Sequence, residues 1–182
     1  MKAIVLLADG CEELEAVSIL DVLRRGGVDV RTRAVAESLH IHGPHGIDLA
    51  ADAPFDPNEE DFNLVAFPGG MGCMRTLRAN EAVLGFLRKA AAAGKIVGAV
   101  CASPAVLGAA GLLDGRRYCC YPGIETEIPG GTYVPGEAVV RDGNIVTGTG
   151  PATAVAFALE LLAALAGPAV RDTIAKGLLF RG

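Results

Sequence analysis

The sequence predicts one α/β domain, a mostly parallel sheet with helices on both faces, and three observations carry that reading. Apolar runs of strand length alternate with longer helix-like stretches from the first residues onward. The strand runs are apolar at nearly every position, the pattern of strands covered on both sides rather than on one. A length of 182 residues allows one sizeable core but not two well-built ones, so residues 1–182 are read as a single domain.

Taken in order, Ala3–Ala8 is expected to be the first strand, Glu13–Arg25 the first helix and Val28–Val35 the second strand, a βαβ opening. Gly26-Gly27 ends that helix as a left-handed cap does. On a helical wheel Ala16, Leu20 and Leu23 face inward, Ser18, Asp21 and Arg25 outward, and Glu15 lies on the flank. Residues from His40 to Pro57 are rich in Gly, Pro and Asp and read as a hairpin or loop excursion. Leu64–Phe67 is the next strand, ending in the glycine turn Pro68-Gly69-Gly70, and Asn80–Ala93 a helix stopped by Gly94.

Ile96–Val100 reads as a strand and Ala102–Ala110 as a helix ended by Gly111, with Cys101 at the join. After Tyr118–Tyr121 comes a Pro/Gly-rich stretch. A hairpin follows, Ala138–Arg141 and Asn144–Thr147 flanking Asp142-Gly143. Pro151 is expected to open the last helix, Ala152–Leu165, which is apolar on nearly every face and therefore buried.

Composition narrows the function. Apolar residues make up 51% and charged ones 20%, and no run approaches the roughly 18 consecutive apolar residues of a membrane span. Lys plus Arg total 16 against 21 for Asp plus Glu, giving −5 without a basic cluster, so neither membrane nor nucleic acid is expected as a partner. Met1–Leu7 runs straight into Asp9, Glu12 and Glu13 rather than a cleavage site, the mark of a first strand rather than a signal peptide. Cys11, Cys73, Cys101, Cys119 and Cys120 are an odd number without metal-finger spacing, which fits free thiols in a reducing cytoplasm.

In such sheets reactive groups gather at the carboxyl ends of strands. Ala99-Val100-Cys101-Ala102-Ser103-Pro104 puts a thiol there, with small residues two before and two after it, as a nucleophile elbow demands. A helix amino terminus stabilises thiolate over thiol, although a cysteine at a strand end is as often a small buried hydrophobe. Gly69 and Gly70 follow a strand expected beside that of Cys101, so their N–H groups face the same crevice, or else simply make a turn. Glu12, Glu13 and Glu15 open the first helix, where acids suit the dipole on structural grounds alone, and periodicity does not choose among them.

No cofactor or metal is expected. Gly69-Gly70-Met71-Gly72 lacks the lysine of a phosphate loop and the acidic partner of a dinucleotide fingerprint. His40, His42 and His45 share one segment without interleaved carboxylates or thiols, a solvated hairpin rather than a metal site.

Together Ala8-Asp9-Gly10-Cys11-Glu12-Glu13-Leu14-Glu15, Phe67-Pro68-Gly69-Gly70, Ala99-Val100-Cys101-Ala102-Ser103-Pro104 and Thr149-Gly150-Pro151-Ala152-Thr153 resemble the DJ-1 branch of the ThiJ/PfpI (DJ-1/PfpI) superfamily. The resemblance implies a flavodoxin-like three-layer sandwich and a homodimer. It implies Cys101 as the elbow cysteine, Glu15 as the carboxylic acid sharing a proton with it, and the amides of Gly69, Gly70 and Ala102 as an anion site.

The chain also departs from the pattern. Tyr121-Pro122 stands where well-known members carry histidine before proline, which makes Tyr121 a candidate in its place. The protease-like branch has histidine directly after the cysteine, whereas Ala102 stands here, which disfavours a peptidase. His45 aligns with a basic position that in related dimers reaches the neighbouring subunit's site. Cys119 and Cys120 are resolving thiols for an oxidised Cys101, or ordinary buried strand cysteines.

The implied activity is that of a glutathione-independent glyoxalase or deglycase. The Cys101 thiolate adds to a small reactive carbonyl such as glyoxal or methylglyoxal, and Glu15 moves the proton. The alternative, of a different class, is an oxidative-stress sensor or chaperone in which Cys101 is oxidised without turnover. Either way Cys101 is expected to be the most reactive of the five thiols.

Overall fold

The computed structural model describes residues 1–181. The elements run β1 (Lys2–Leu7), α1 (Glu13–Arg25), β2 (Asp29–Ala34), β3 (His40–His42), β4 (Asp48–Ala50), β5 (Ala53–Pro54) and β6 (Leu64–Phe67). Then come α2 (Met71–Ala79), α3 (Glu81–Ala92), β7 (Ile96–Val100), α4 (Pro104–Ala109), β8 (Arg117–Tyr118) and β9 (Thr132–Tyr133). The chain closes with β10 (Val139–Asp142), β11 (Ile145–Gly148), α5 (Ala154–Ala166) and α6 (Pro168–Gly177).

Seven strands form one sheet in the order β10-β11-β7-β6-β1-β2-β5, parallel throughout except for β10. The central strands are buried almost end to end, which is why their sequences are continuously apolar instead of alternating. The fold is flavodoxin-like α/β. From β1 the chain steps to β2 on one side, then returns through β6 to β7 on the other. The carboxyl ends of β1, β6 and β7 therefore open onto one crevice at the point where the strand order reverses.

Helix α5 packs on β7, β11 and α1, with α6 against its outer side, while α3 and α4 pack on β7 and α2 packs on both of them. Small residues set these approaches. A Cβ on Gly98 would lie 2.6 Å from the Leu161 side chain, and one on Gly26 would lie 2.4 Å from Leu162. No described helix is long and apolar enough to cross a membrane.

Several elements differ from the sequence reading. Ser18 was expected outward but is buried, because α1 is pressed by the sheet and by α5 together and its covered arc is wider than one stripe. Asp21 and Arg25 do face solvent, paired at 2.5 Å. Helix α2 was not expected: Gly72 breaks its signal, and it is glycine because a Cβ would stand 2.8 Å from the Asp9 carbonyl. Asn80 then caps α3 by accepting from the amides of Ala82 and Val83. Pro151 opens a short 3₁₀ turn, Pro151–Thr153, ahead of α5 rather than α5 itself. Helix α6 also went unread, since none of its residues is fully buried and its apolar signal is weak. The 40–57 excursion contains the β3–β4 hairpin and also β5, an edge strand of the main sheet.

Candidate active site

Cys101 follows β7 with φ 64°, a left-handed conformation that costs a non-glycine residue roughly 1–3 kcal/mol and persists only where the surroundings over-determine it. Four hydrogen bonds do so. Its N–H donates to the Gly148 carbonyl at 2.9 Å, and its own carbonyl accepts from the Tyr121 amide at 2.8 Å. The Ser103 N–H donates to Val100 at 3.0 Å, and the buried Ser103 hydroxyl donates to the Pro68 carbonyl at 2.6 Å. The elbow is thus a turn from 101 to 103, and α4 begins only at Pro104 and runs six residues. The expected helix starting at Ala102 is corrected accordingly.

The loop after β6 lies against this turn so closely that only glycine fits. A Cβ on Gly69 would stand 2.5 Å from the Cys101 Cβ, and one on Gly70 would stand 2.0 Å from the Gly10 carbonyl. Gly69 does not offer a free amide, because its N–H donates to Glu15 Oε2 at 2.6 Å. Its expected place in the anion site is corrected to that of a carboxylate anchor. The backbone amides of Gly70 and Ala102 are near enough to the Cys101 sulfur to favour its ionised form.

Glu15 sits in the first turn of α1, fully buried. Its amide donates to the Glu12 side chain at 2.8 Å, its Oε1 is buried without a hydrogen-bond partner among the described residues, and its carboxyl neighbours the Cys101 sulfur. Burial raises its carboxyl from 4.5 to about 7, against the opposing pull of the Gly69 amide and of the sulfur. The Cys101 thiol is likewise pushed up to about 12, first by burial and then by the neighbouring carboxylate, with the Gly70 and Ala102 amides pulling down. The amides pull in the direction expected from sequence, but burial and the carboxylate outweigh them. Cys11 and Cys120, also held near 12, have carboxylates and one amide nearby, and what sets Cys101 apart is a second amide and a carboxyl in hydrogen-bond reach.

The remaining candidates fall elsewhere. The Tyr121 side chain is half-exposed, with its ring against Gly150 near the Cys101 carbonyl. His45 turns back onto its own chain: its N–H donates to Glu13 Oε1 at 2.6 Å and its Nδ1 lies 2.7 Å from Glu13 Oε2. Burial pushes the Glu13 carboxyl up, but the His45 ring, its own amide and the His45 amide outweigh that and bring it to about 2. Glu12, Glu13 and His45 place three ligand atoms within 4.8 Å of one another, but the imidazole already meets the carboxylate charge at the positive end of α1. All five cysteines are buried free thiols, and the Cys119 sulfur is occupied by the Thr147 carbonyl at 3.3 Å. A cavity of about 300 Å³ between Pro57, Phe62, Phe86 and Lys95 lies at the amino ends of β6 and β7, away from Cys101.

Sequence reasoning missed Ser103, which ties the elbow to the Gly69 loop, and Glu12, whose Glu-x-x-Glu spacing to Glu15 was a legible capping signal.

Residues 1–164 match the model of the DJ-1/PfpI family. The chain is 34% identical over 180 residues to Protein dj-1beta of Drosophila melanogaster, covering 98% of this chain and 96% of that one. The crystal structure of Drosophila melanogaster DJ-1beta superposes with a TM-score of 0.94 over 100% of this chain and 98% of its own, at 32% identity. The chain is also 32% identical to the glutathione-independent glyoxalase DJR-1.2 of Caenorhabditis elegans, over 97% of this chain and 95% of that one. With the deglycase PH1704 of Pyrococcus horikoshii the identity is 35%, over 89% and 98%.

Proposed function

The chain belongs to the DJ-1/PfpI family, and from that premise we propose that it converts small reactive carbonyls, such as methylglyoxal or glyoxal, by way of a Cys101 adduct. Relatives named glyoxalase and deglycase support the substrate class. The observation that carries the reading is Glu15: a buried carboxyl held near 7, with one oxygen unpartnered and the Cys101 sulfur as its neighbour. Such a group gives and takes a proton at neutral pH.

The pair works as a unit. Passing the thiol proton to Glu15 Oε1 leaves a thiolate that accepts from the Gly70 and Ala102 amides, and the sulfur then attacks the aldehyde carbon. The aldehyde oxygen takes up a proton, giving a hemithioacetal. Glu15 removes the hydrogen on that carbon as a proton and returns it to the adjacent keto carbon, and the hydroxyl proton of the hemithioacetal passes to the former keto oxygen, so that the second carbon becomes the carbinol and the first a carbonyl. The result is a thioester, and water hydrolyses it to the 2-hydroxy acid and the free thiol. No outside oxidant or reductant enters. Cys101 is 9% exposed, which favours small substrates over side chains of folded proteins.

We further propose a homodimer, whose second copy would cover Leu14 and Val17 on α1 and Ile47 on the hairpin, all exposed apolar side chains. A monomeric mass in light scattering at micromolar concentration would remove it.

The decisive experiment is glutathione-free conversion of methylglyoxal to lactate by the purified protein and by Cys101→Ala. Turnover lost in the variant is the expected result. Absence of turnover in both, with stoichiometric sulfinate under mild peroxide, would favour a redox sensor, for which the same amide cradle would hold the oxidised sulfur.

A further inference from the structure

The β3–β4 hairpin is docked on the start of α1 through a continuous run of hydrogen bonds that ends beside Cys101. On the outside, the Gly10 N–H donates to the His42 carbonyl at 2.7 Å and the His42 N–H to Asp9 Oδ1 at 2.9 Å. The Glu13 side chain fills the space beside Gly43, where a Cβ would stand 2.3 Å from its Oε1, and both its oxygens are bound by His45. One residue earlier, the Glu12 N–H donates to the Gly69 carbonyl at 3.1 Å and the Glu12 carboxylate accepts from the Glu15 amide at 2.8 Å. Glu15 then accepts from Gly69 at 2.6 Å.

From this geometry we infer that His45 is a positioning residue for the Cys101–Glu15 pair within its own chain, a protonated latch that holds the first turn of α1 in place through Glu13. The inference rests on the reading that Cys101 and Glu15 act together, not on the identity of the substrate. Glu13 is a carboxylate only 3% exposed, so it needs its donors. Without the imidazole it keeps two backbone amides and loses its only cation. The first turn of α1 would then relax, and the turn carries Glu15.

The latch is set by pH. The groups facing His45 are Glu13 at 2.7 Å and Glu12 at 3.9 Å, both from α1. On the hairpin Asp48 is taken by the His42 ring at 3.0 Å, and Asp9, from the loop after β1, is taken by the His42 amide. The hydrogen bond and charge of Glu13 hold the imidazole above its ordinary 6.5, so the latch keeps its proton to higher pH than a free imidazole and opens as pH rises further.

The test is the alkylation rate of Cys101 by iodoacetamide between pH 6 and 9.5, followed by peptide mapping, in wild type, His45→Ala and His45→Arg. The side chain is 67% exposed, so neither change disturbs the core. The expected result is a rate at least threefold below wild type for His45→Ala at pH 6.5, converging with wild type by pH 9.5. His45→Arg, a cation at every pH, should match wild type at pH 6.5 and exceed it at pH 9.5. Superimposable wild-type and His45→Ala profiles would overturn the latch, and so would a deficit that neither changes with pH nor is rescued by arginine. Alkylation reads the pair without any aldehyde, so a protein that fails to turn over methylglyoxal still answers this question.

Discussion

Glu13 and Glu15 lie two residues apart in the first turn of the same helix, and both are buried, yet their carboxyls are driven in opposite directions, to about 2 and about 7. Burial pushes both up. The difference lies in what faces each one. Glu13 looks outward onto a hairpin that supplies an imidazole and one amide, to which its own backbone amide is added, while Glu15 looks inward onto a sulfur and a single amide. The comparison teaches that burial makes a charge costly but its partners decide whether the charge is kept. One face of a helix turn carries a paired carboxylate, and the other a carboxyl held near 7.

The largest expected effect comes from removing the inward proton. Glu15→Gln keeps a donor beside the sulfur but cannot exchange a proton, so methylglyoxal turnover should fall by about 100-fold or more. Alkylation of Cys101 should stay within about threefold of wild type, because the amide cannot repel a thiolate. Comparable turnover in the variant would make Glu15 a helix-start acid and nothing more.

Next in size is the pH dependence of stability. The Glu15 carboxyl is raised from 4.5 to about 7, so the folded state holds the proton more tightly than the unfolded chain. That contribution is fully present below pH 4.5 and is lost as pH rises to about 7, a fall of about 3 kcal/mol. Urea unfolding at pH 5 and pH 8 should show it in wild type and not in Glu15→Gln. Glu13 has the reverse sign: its stabilisation is present above pH 4.5 and fades as pH drops towards about 2.

A smaller effect is expected on the outward face. Gly43→Ala would set a methyl 2.3 Å from Glu13 Oε1, and should cost about 1–3 kcal/mol by unseating the carboxylate. Combining it with Glu13→Ala should recover much of the loss, whereas additive losses would place the strain elsewhere. The smallest effect belongs to His42→Ala, a control for the latch. Its ring pairs with exposed Asp48, so the unfolding midpoint should not move, in contrast to that of His45→Ala.

The sequence by itself determined the layered α/β plan, the strands at β1, β6 and β7, and the join at Cys101. Those features rest on local signals: continuous apolar runs, glycine stops and a cysteine between small residues. It also carried four motifs whose order resembles the family, and that resemblance singled out Glu15 where helical periodicity had left it on the flank. Tertiary structure alone decided the rest. Ser18 is buried because two layers cover α1, α2 forms around a glycine fixed by the Asp9 carbonyl, and the Gly69 amide is consumed by a residue 54 positions away. The opposite titration of Glu13 and Glu15 was unreadable for the same reason. A carboxyl's proton affinity depends on its solvent exposure and on the donors within a few ångströms, and here those come from the hairpin at residues 43–45 and the loop at Gly69, brought together only when the sheet assembles.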